Sequence, residues 1–438
     1  MTRMLIAAVF VTGAASLAAA QEPLTLADAV ARTLAQNPAV RAVDAGVKEA
    51  GSRVDAARSG YMPRLRIAES WQRGDQPVFV FGSILSQRRF TEANFAIDAL
   101  NHPDPVNNFK TMIGVQQVIF DGARTSAGMR AAKLGVSLAT LEQRKLAAEL
   151  RLGVTQAFGQ ALAAAAARDA AAAAVAAAEE DLRRTRARRD AGFETDASVL
   201  ALEVHAAQVR ARQIRAESDA RVARVQLNQM MGEDLDRVYE LVAPPPPSAG
   251  AALDAAALEA AALEGRPELA QAAAQRDIAL ASGDVARSML LPQVGFQAAM
   301  EFNGPSFGDR ASAWIVGTEV SWDLFSDGAS RARRREATFA AERASAERDR
   351  LEAAVRVEVR SAVARLEAAR AREAVGRAAV EQARESQRII RDRYDAGMAP
   401  ASDLLGANTA VLDAETLRTS TLVDLLVSAA ALDRAVGR

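Results

Sequence analysis

The amino-acid sequence carries one order of local features twice. The same number of residues separates Pro38 from Pro63 as separates Pro267 from Pro292, and a motif of Phe, Asp and Gly follows in each half. An internal repeat on this scale constrains the whole architecture, because both copies are expected to fold into the same order of elements. That order is helix, strand, loop, strand, very long helix, turn and helix.

The first residues have the features of a secretory leader. Arg3 precedes a short apolar run, and small residues follow as far as Ala20. This arrangement is typical of a signal peptide, and the run is far shorter than the roughly 20 residues of a membrane-spanning helix. We expect no later segment to approach a continuous apolar span, which argues against a helical membrane protein. The predicted parts are a signal peptide at 1–20, a first structural repeat at 21–243, a proline-rich linker at 244–250 and a second repeat at 251–438.

Long helices dominate the prediction. The first helix of each half is predicted over 25–59 and 254–288, and the proline-free long helices over 123–190 and 329–395. At a rise of 1.5 Å, about 68 residues make a rod on the order of 100 Å. Apolar residues recur at steps of three and four, which predicts a partner helix on one side. Alanine fills many of the other positions and buries little area, so we expect assembly to supply part of the stability.

Four segments alternate between apolar and polar residues with a period of two, as a strand with one buried face does. The clearest are 294–303 and 314–324, and weaker ones lie around Ile67 and Ile113. Strands of this length with aromatic residues near their ends are typical of a transmembrane barrel, although a soluble half-buried sheet has the same pattern. Four strands cannot close a barrel, whereas three chains would supply twelve. The residues predicted to form aromatic girdles are Trp71, Trp314, Trp322, Phe296 and Phe302.

The residues that enzymes and metal sites need are scarce. The chain has no cysteine and only two histidines, His102 and His205, with no paired spacing. The glycine motifs lack the pattern of a phosphate-binding loop. A formal net charge of −1 gives no indication of a nucleic-acid partner. We therefore expect a protein that is not an enzyme, with no catalytic residues, no metal and no cofactor.

Several motifs, taken together, resemble the TolC-like outer-membrane efflux proteins. They are Leu24-Thr25-Leu26 before Asn37-Pro38, Arg266-Pro267-Glu268-Leu269, Phe120-Asp121-Gly122 with Phe325-Ser326-Asp327-Gly328, and Tyr394-Asp395-Ala396-Gly397. The resemblance spans essentially the whole mature chain. It implies a mainly α protein with a small β part, in which a homotrimer builds one twelve-stranded barrel in outer-membrane lipid and a coiled-coil helical tunnel in the periplasm.

The resemblance also implies partners and a site. A periplasmic adaptor, attached to a proton-driven or ATP-driven inner-membrane pump, would meet the hairpin tips at Gly192 and Gly397. Members of the family narrow at these tips with acidic residues facing the lumen. Asp403 is therefore the candidate for the pore constriction. Gly406 stands where an aspartate is common, so the acidic pattern is incomplete.

One insertion makes the two halves unequal. Between Pro63 and Phe120 the first half has roughly two dozen residues more than the second has between Pro292 and Phe325. The insertion lies within residues 74–108 and is rich in aromatic residues. We expect it to fold on itself or over the pore mouth, and both remain open.

The function predicted from the sequence is passive export of small molecules through a channel. A type I protein-secretion conduit has the same architecture and remains an alternative. A periplasmic coiled-coil scaffold remains an alternative of another class, which would require the four strands to form a soluble sheet.

Overall fold

The computed structural model describes residues 22–245, 253–324 and 328–438. The predicted leader, most of the predicted linker and Phe325, Ser326 and Asp327 of the second motif lie outside these ranges. Within them the chain is mostly helical with a small sheet, as the sequence predicts.

The first repeat contains four strands and six α-helices. In chain order they are β1 (Glu22–Leu24), α1 (Leu26–Gln36), α2 (Pro38–Arg58), β2 (Arg64–Gly74), α3 (Pro77–Ser86), α4 (Ile97–Asn101), β3 (Val106–Phe120), α5 (Arg124–Asp190), α6 (Asp196–Met231) and β4 (Tyr239–Leu241). The second repeat has the same order without the inserted helices and the short strands. Its elements are α7 (Ala255–Gly265), α8 (Pro267–Ser288), β5 (Gln293–Gly304), β6 (Ala311–Ser321), α9 (Ala329–Asp395) and α10 (Ala401–Val436).

The sequence predicts one helix at the start of each half, and this is wrong in one respect, because the structure has two consecutive helices there in both halves. Asn37 (ψ 129°) and Arg266 (ψ 121°) interrupt the helix directly before a proline. A residue before proline is driven out of the helical region by the proline ring, and the proline then begins a new helix at its first position. The repeated proline therefore places the same bend in both halves.

The two long helices are confirmed. α5 and α9 each run for 67 residues without interruption, which corresponds to about 100 Å. Each turns back into a helix of 36 residues. The result is a pair of long antiparallel hairpins, α5–α6 and α9–α10, with their tips at the same end.

α5 requires a correction to the expectation about apolar segments. It contains an 18-residue window with a mean hydropathy of 1.4 and few charges, so by length and composition alone it could cross a membrane. Alanine is the cause, because it counts as apolar in such a window although each side chain buries little area. The expectation that no segment after the leader approaches an apolar span is therefore wrong for α5.

The repeats make equivalent contacts where their hairpins end, far from the tips. Asn37 donates from Nδ2 to the carbonyl of Met230 at 2.8 Å, and Arg266 donates from Nη1 to the carbonyl of Ala435 at 3.2 Å. The same junction is thus held by an amide in one half and a guanidinium in the other. Arg266 is buried and forms ion pairs with Glu268 at 3.0 Å and Glu358 at 2.8 Å, which compensate its loss of hydration.

Apolar clusters accompany these junctions. In the first repeat, Phe158 of α5 packs with Leu227 and Met231 of α6, and in the second, Val359 of α9 packs with Leu425 of α10. The first junction also has a parallel pair, β1 with β4, that the sequence did not predict. Burial beside Glu233 raises the pKa of Tyr239 in β4 to about 12.

Four strands form one antiparallel sheet in the order β2-β3-β5-β6, so the two repeats join between β3 and β5. The strand prediction is confirmed, although β6 ends at Ser321 and leaves Trp322 just beyond it. β2 and β6 each have only one strand neighbour among the described residues.

The glycine that ends α6 offers a test of the junction. Gly232 has φ +75°, and an added Cβ would lie 2.9 Å from the carbonyl oxygen of Gln36. We expect Gly232→Ala to lower the free energy of unfolding by about 1–3 kcal/mol, because both the backbone and the space oppose a side chain. Gly46 of α2 has nothing within 4 Å, so Gly46→Ala is the control and should be neutral or stabilising by about 0.5–1 kcal/mol. Thermal unfolding followed by circular dichroism measures both, and equal midpoints would contradict the argument.

Candidate functional site

The two hairpin tips have the same backbone design. Gly192 (φ +83°) and Gly397 (φ +74°) adopt the left-handed conformation directly after the long helices. In each case the glycine N–H and the next N–H bond back to the last turn, as from Phe193 to the carbonyl of Arg188 at 2.8 Å and from Met398 to that of Arg393 at 2.8 Å. This pair of backbone hydrogen bonds requires a residue in the left-handed conformation and ends a helix sharply.

A large apolar side chain follows each tip glycine. Phe193 is 76% exposed and Met398 is 73% exposed, so two apolar groups project at equivalent places in the repeats. Arginine and acidic residues surround them. For example, Nη2 of Arg189 lies 2.7 Å from Oδ1 of Asp190. An apolar group within a charged surface is a common arrangement where another protein binds.

Polar contacts join the two hairpins close to their tips. The hydroxyls of Thr185 in α5 and Tyr394 in α9 lie 2.8 Å apart and are buried. Arg188 lies over the Tyr394 ring at 5.3 Å and donates to the Tyr394 carbonyl at 3.3 Å. Burial raises the pKa of the Tyr394 phenol above its ordinary value, so the phenol stays protonated.

A second polar contact lies further from the tips. Asn408 of α10 donates to Asp181 of α5 at 3.0 Å and accepts from Gln387 of α9 at 2.9 Å. Near the tips the two hairpins are therefore joined to each other by hydrogen bonds, whereas the aliphatic clusters near the junctions pack within each repeat. These contacts between the two hairpins were not predicted from the sequence. Their one local indication is Tyr394, an aromatic residue at the charged end of a helix.

Asp403 lies in the first turn of α10, six residues after the tip glycine Gly397, and is exposed in the single chain. It begins a stripe of exposed residues at spacings of three and four along α10. The stripe consists of Asp403, Gly406, Ala410, Asp413, Leu417, Ser420 and Asp424. Residues at this spacing share one face of a supercoiled helix. The carboxylates of Asp413 and Asp424 therefore share a face with Asp403 although position 406 lacks one.

The strand register assigns the sheet two faces, because directly paired residues point to the same side. One face carries Ile67, Ile113, Met300 and Trp314 as neighbours across all four strands. The other is polar, and Lys110 forms an ion pair with Glu301 on it at 2.7 Å. We call these the apolar face and the polar face.

By the strand register, four of the five predicted girdle residues point to the apolar face, and Trp322 lies just beyond the end of β6. Trp71 and Phe302 lie towards the β2–β3 loop, and Phe296 lies towards the helices. Trp314 lies between them, in the row that contains Ile67, Ile113 and Met300. The three tryptophans are 57–78% exposed in the single chain. Trp71 is 6.3 Å from Phe109 between ring centroids. Aromatic side chains on an apolar sheet face are typical of a transmembrane barrel.

Among residues 22–245, 253–324 and 328–438, no group of three or more acidic or histidine side chains is placed to hold a metal ion. His102 lies in the β2–β3 loop and His205 on α6, in different parts of the chain.

The chain was compared with known proteins. The family model described as outer membrane efflux protein matches residues 29–233 and 258–438, one stretch in each repeat. No curated protein matches the chain in sequence.

Solved structures share the fold. The outer-membrane channel OprN is 21% identical, with a TM-score of 0.75 over 94% of this chain and 89% of that one. The Campylobacter jejuni CmeC outer membrane channel is 16% identical, with a TM-score of 0.77 over 94% and 85%. The Vibrio cholerae outer membrane protein VceC is 18% identical, with a TM-score of 0.74 over 94% and 96%.

The Thr185–Tyr394 contact can be tested with a double-mutant cycle. We expect Thr185→Val and Tyr394→Phe to show a coupling energy of about 0.5–1.5 kcal/mol, because each removes one partner of the same hydrogen bond. Hydrogen exchange of the tip segments measures the cost of opening. Thr409→Val is the control, since that hydroxyl bonds to Leu405 of its own helix at 2.9 Å, and it should be additive with Tyr394→Phe. Additive effects of Thr185→Val and Tyr394→Phe would show that the hairpins are not joined there.

Proposed function

Because the chain belongs to the outer membrane efflux protein family, we propose that three copies of it form the outer-membrane channel of a tripartite system that exports small molecules. One observation carries the proposal. A four-stranded sheet with one apolar face is attached directly to helices of about 100 Å, so a membrane element and a long conduit are parts of one chain.

The trimer follows from the sheet. The edges of β2 and β6 carry backbone N–H and C=O groups that lipid cannot satisfy. Pairing β6 of one copy with β2 of the next satisfies these groups and makes a twelve-stranded closed barrel. The apolar face then meets lipid, and the polar face lines the lumen.

The channel itself is passive in this proposal and is not an enzyme. Energy for export comes from an inner-membrane pump, which a periplasmic adaptor connects to the hairpin tips. We also propose that the leader is removed after Ala20 and that the repeats extend over residues 21–243 and 251–438, joined by the linker at 244–250.

Asp403 is proposed to line the narrow entrance. Three copies around the axis would place three carboxylates in a ring, and such a ring attracts cations and repels anions. Asp413 and Asp424 lie on the same exposed stripe and would continue the acidic lining away from the tip.

The first experiment uses purified protein in planar bilayers. We expect trimers that form cation-preferring channels, and we expect Asp403→Asn to reduce the preference as measured by the reversal potential in a salt gradient. Asp55→Asn is the control, because Asp55 is an exposed carboxylate on α2 and far from the tips. A reversal potential that Asp403→Asn leaves unchanged removes Asp403 from the lumen, and a protein that is monomeric and forms no channels contradicts the proposal as a whole.

The second experiment tests the adaptor contact. We expect Phe193→Asp combined with Met398→Asp to weaken binding of the purified cognate adaptor at least tenfold, because about 1.4 kcal/mol is lost when exposed apolar anchors become charged. Leu235→Asp is the control, since Leu235 is 47% exposed in the loop after α6 and remote from the tips. Equal binding by both variants would place the adaptor elsewhere.

A further inference from the structure

The inserted β2–β3 loop folds onto the polar face of the sheet. An added Cβ on Gly74, which points to that face, would lie 3.5 Å from the ring of Phe79 in α3. Gln87, just after α3, donates to the Asn107 carbonyl at 2.8 Å and to Oδ1 of Asn108 at 3.1 Å. Asn108 in turn donates to Asn303 at 3.1 Å, and all three of these amide side chains are buried. α3 is thus fixed against β3 and β5.

The short β5–β6 loop lies on the opposite face. A Cβ on Gly304, which points to the apolar face, would overlap the carbonyl oxygen of Asp309. Arg310 reaches across the same face to Glu69 of β2 at 3.0 Å. The two loops of one chain therefore leave the sheet on different sides.

The long loop is a packed unit with an apolar surface. Inside it, Phe90 lies against Phe81 with ring centroids 4.8 Å apart and against Phe95 at 5.1 Å, both edge to face. Outside it, Val78 is 86% exposed, Ile97 is 78% exposed and Leu85 is 55% exposed. These exposed aliphatic side chains give the loop an apolar surface that a partner could cover.

The size of the barrel identifies that partner. Twelve strands spaced about 4.8 Å apart and tilted about 40° enclose a circle roughly 24 Å across between backbones. Three helices of about 10 Å diameter packed in a triangle need a circle of about 22 Å. Three copies of α3 on the inner face of the rim therefore have no room to stay apart.

We propose that the α3–α4 loops of the three copies contact one another on the pore axis and form an apolar constriction at the outer end of the barrel. The proposal rests on the trimer of the preceding subsection, and each loop is incomplete as a constriction without its two copies. An apolar ring of this kind disfavours water and ions and passes solutes that are themselves partly apolar. The channel then has two constrictions of opposite character, acidic at the periplasmic entrance and apolar at the exit.

The absence of cysteine from the chain allows a direct test by cross-linking. Single substitutions Val78→Cys and Ile97→Cys are made in the full chain, and the purified trimer is treated with a short bismaleimide. Phe307→Cys is the matched control, because Phe307 is 72% exposed but lies on the short loop, on the outer face. We expect covalent dimers from Val78→Cys or Ile97→Cys, because each chain carries a single thiol, and monomers from Phe307→Cys. Cross-linking at neither loop position, or equal cross-linking at Phe307, overturns the proposal.

A second measurement tests the constriction itself. Val78→Asp combined with Ile97→Asp should hydrate the exit and raise the single-channel conductance at least twofold, whereas Phe307→Asp should leave it unchanged. Unchanged conductance of the double variant in channels that insert normally overturns the apolar constriction and leaves the proposed function intact. Failure of the wild-type protein to form any channel counts against the proposed function instead.

Discussion

Backbone N–H and C=O groups within a membrane must be hydrogen-bonded by protein, because lipid tails offer no partner. This constraint acts on the four-stranded sheet, whose inner pairs are complete while β2 and β6 each have only one strand neighbour in the described chain. The proposed trimer, the assignment of the apolar face to lipid and the assignment of the polar face to the lumen all follow from closing these two edges. The inserted loop acquires its proposed role in the same way, because the polar face on which it lies becomes the inside of a pore.

The helical part obeys a different rule. Alanine-rich helices lie close together but bury little area. Larger apolar residues cluster within each repeat at the junctions, and Tyr394 and Leu404 form a smaller cluster at the second tip, where hydrogen bonds also join the two hairpins. The tips are also the part of the molecule proposed to meet the adaptor.

Much of the fold could be predicted because the sequence marks its own repeat. Long proline-free stretches with terminal glycine predicted α5 and α9 to within a residue, and alternation predicted all four sheet strands. The same prolines that revealed the repeat also break its first helices, a consequence that was missed at Asn37 and Arg266. The pair β1–β4 has three residues in each strand, too few for a periodic pattern.

The candidate site was less accessible from the sequence. Gly192 and Gly397 could be predicted because a left-handed residue at the end of a helix is usually a glycine, and both have a positive φ in the structure. The contact between Thr185 and Tyr394 joins helices of different repeats, so no local pattern contains it. The side of the sheet on which the long loop lies is set by the packing at Gly74 and by the hydrogen bonds of Gln87 to β3, and no local sequence pattern contains these contacts.

The Glu69–Arg310 ion pair has a consequence for how such a channel is built. Glu69 lies on β2, at one edge of the sheet, and Arg310 lies in the loop directly before β6, which is the other edge. The ion pair therefore connects the strand pair of the first repeat with that of the second within one chain. A sheet tied in this way holds its four strands in order within one chain. In the proposed trimer each chain would then contribute one third of the barrel wall as a unit, and only three pairings, each between β6 of one copy and β2 of the next, would remain to be made.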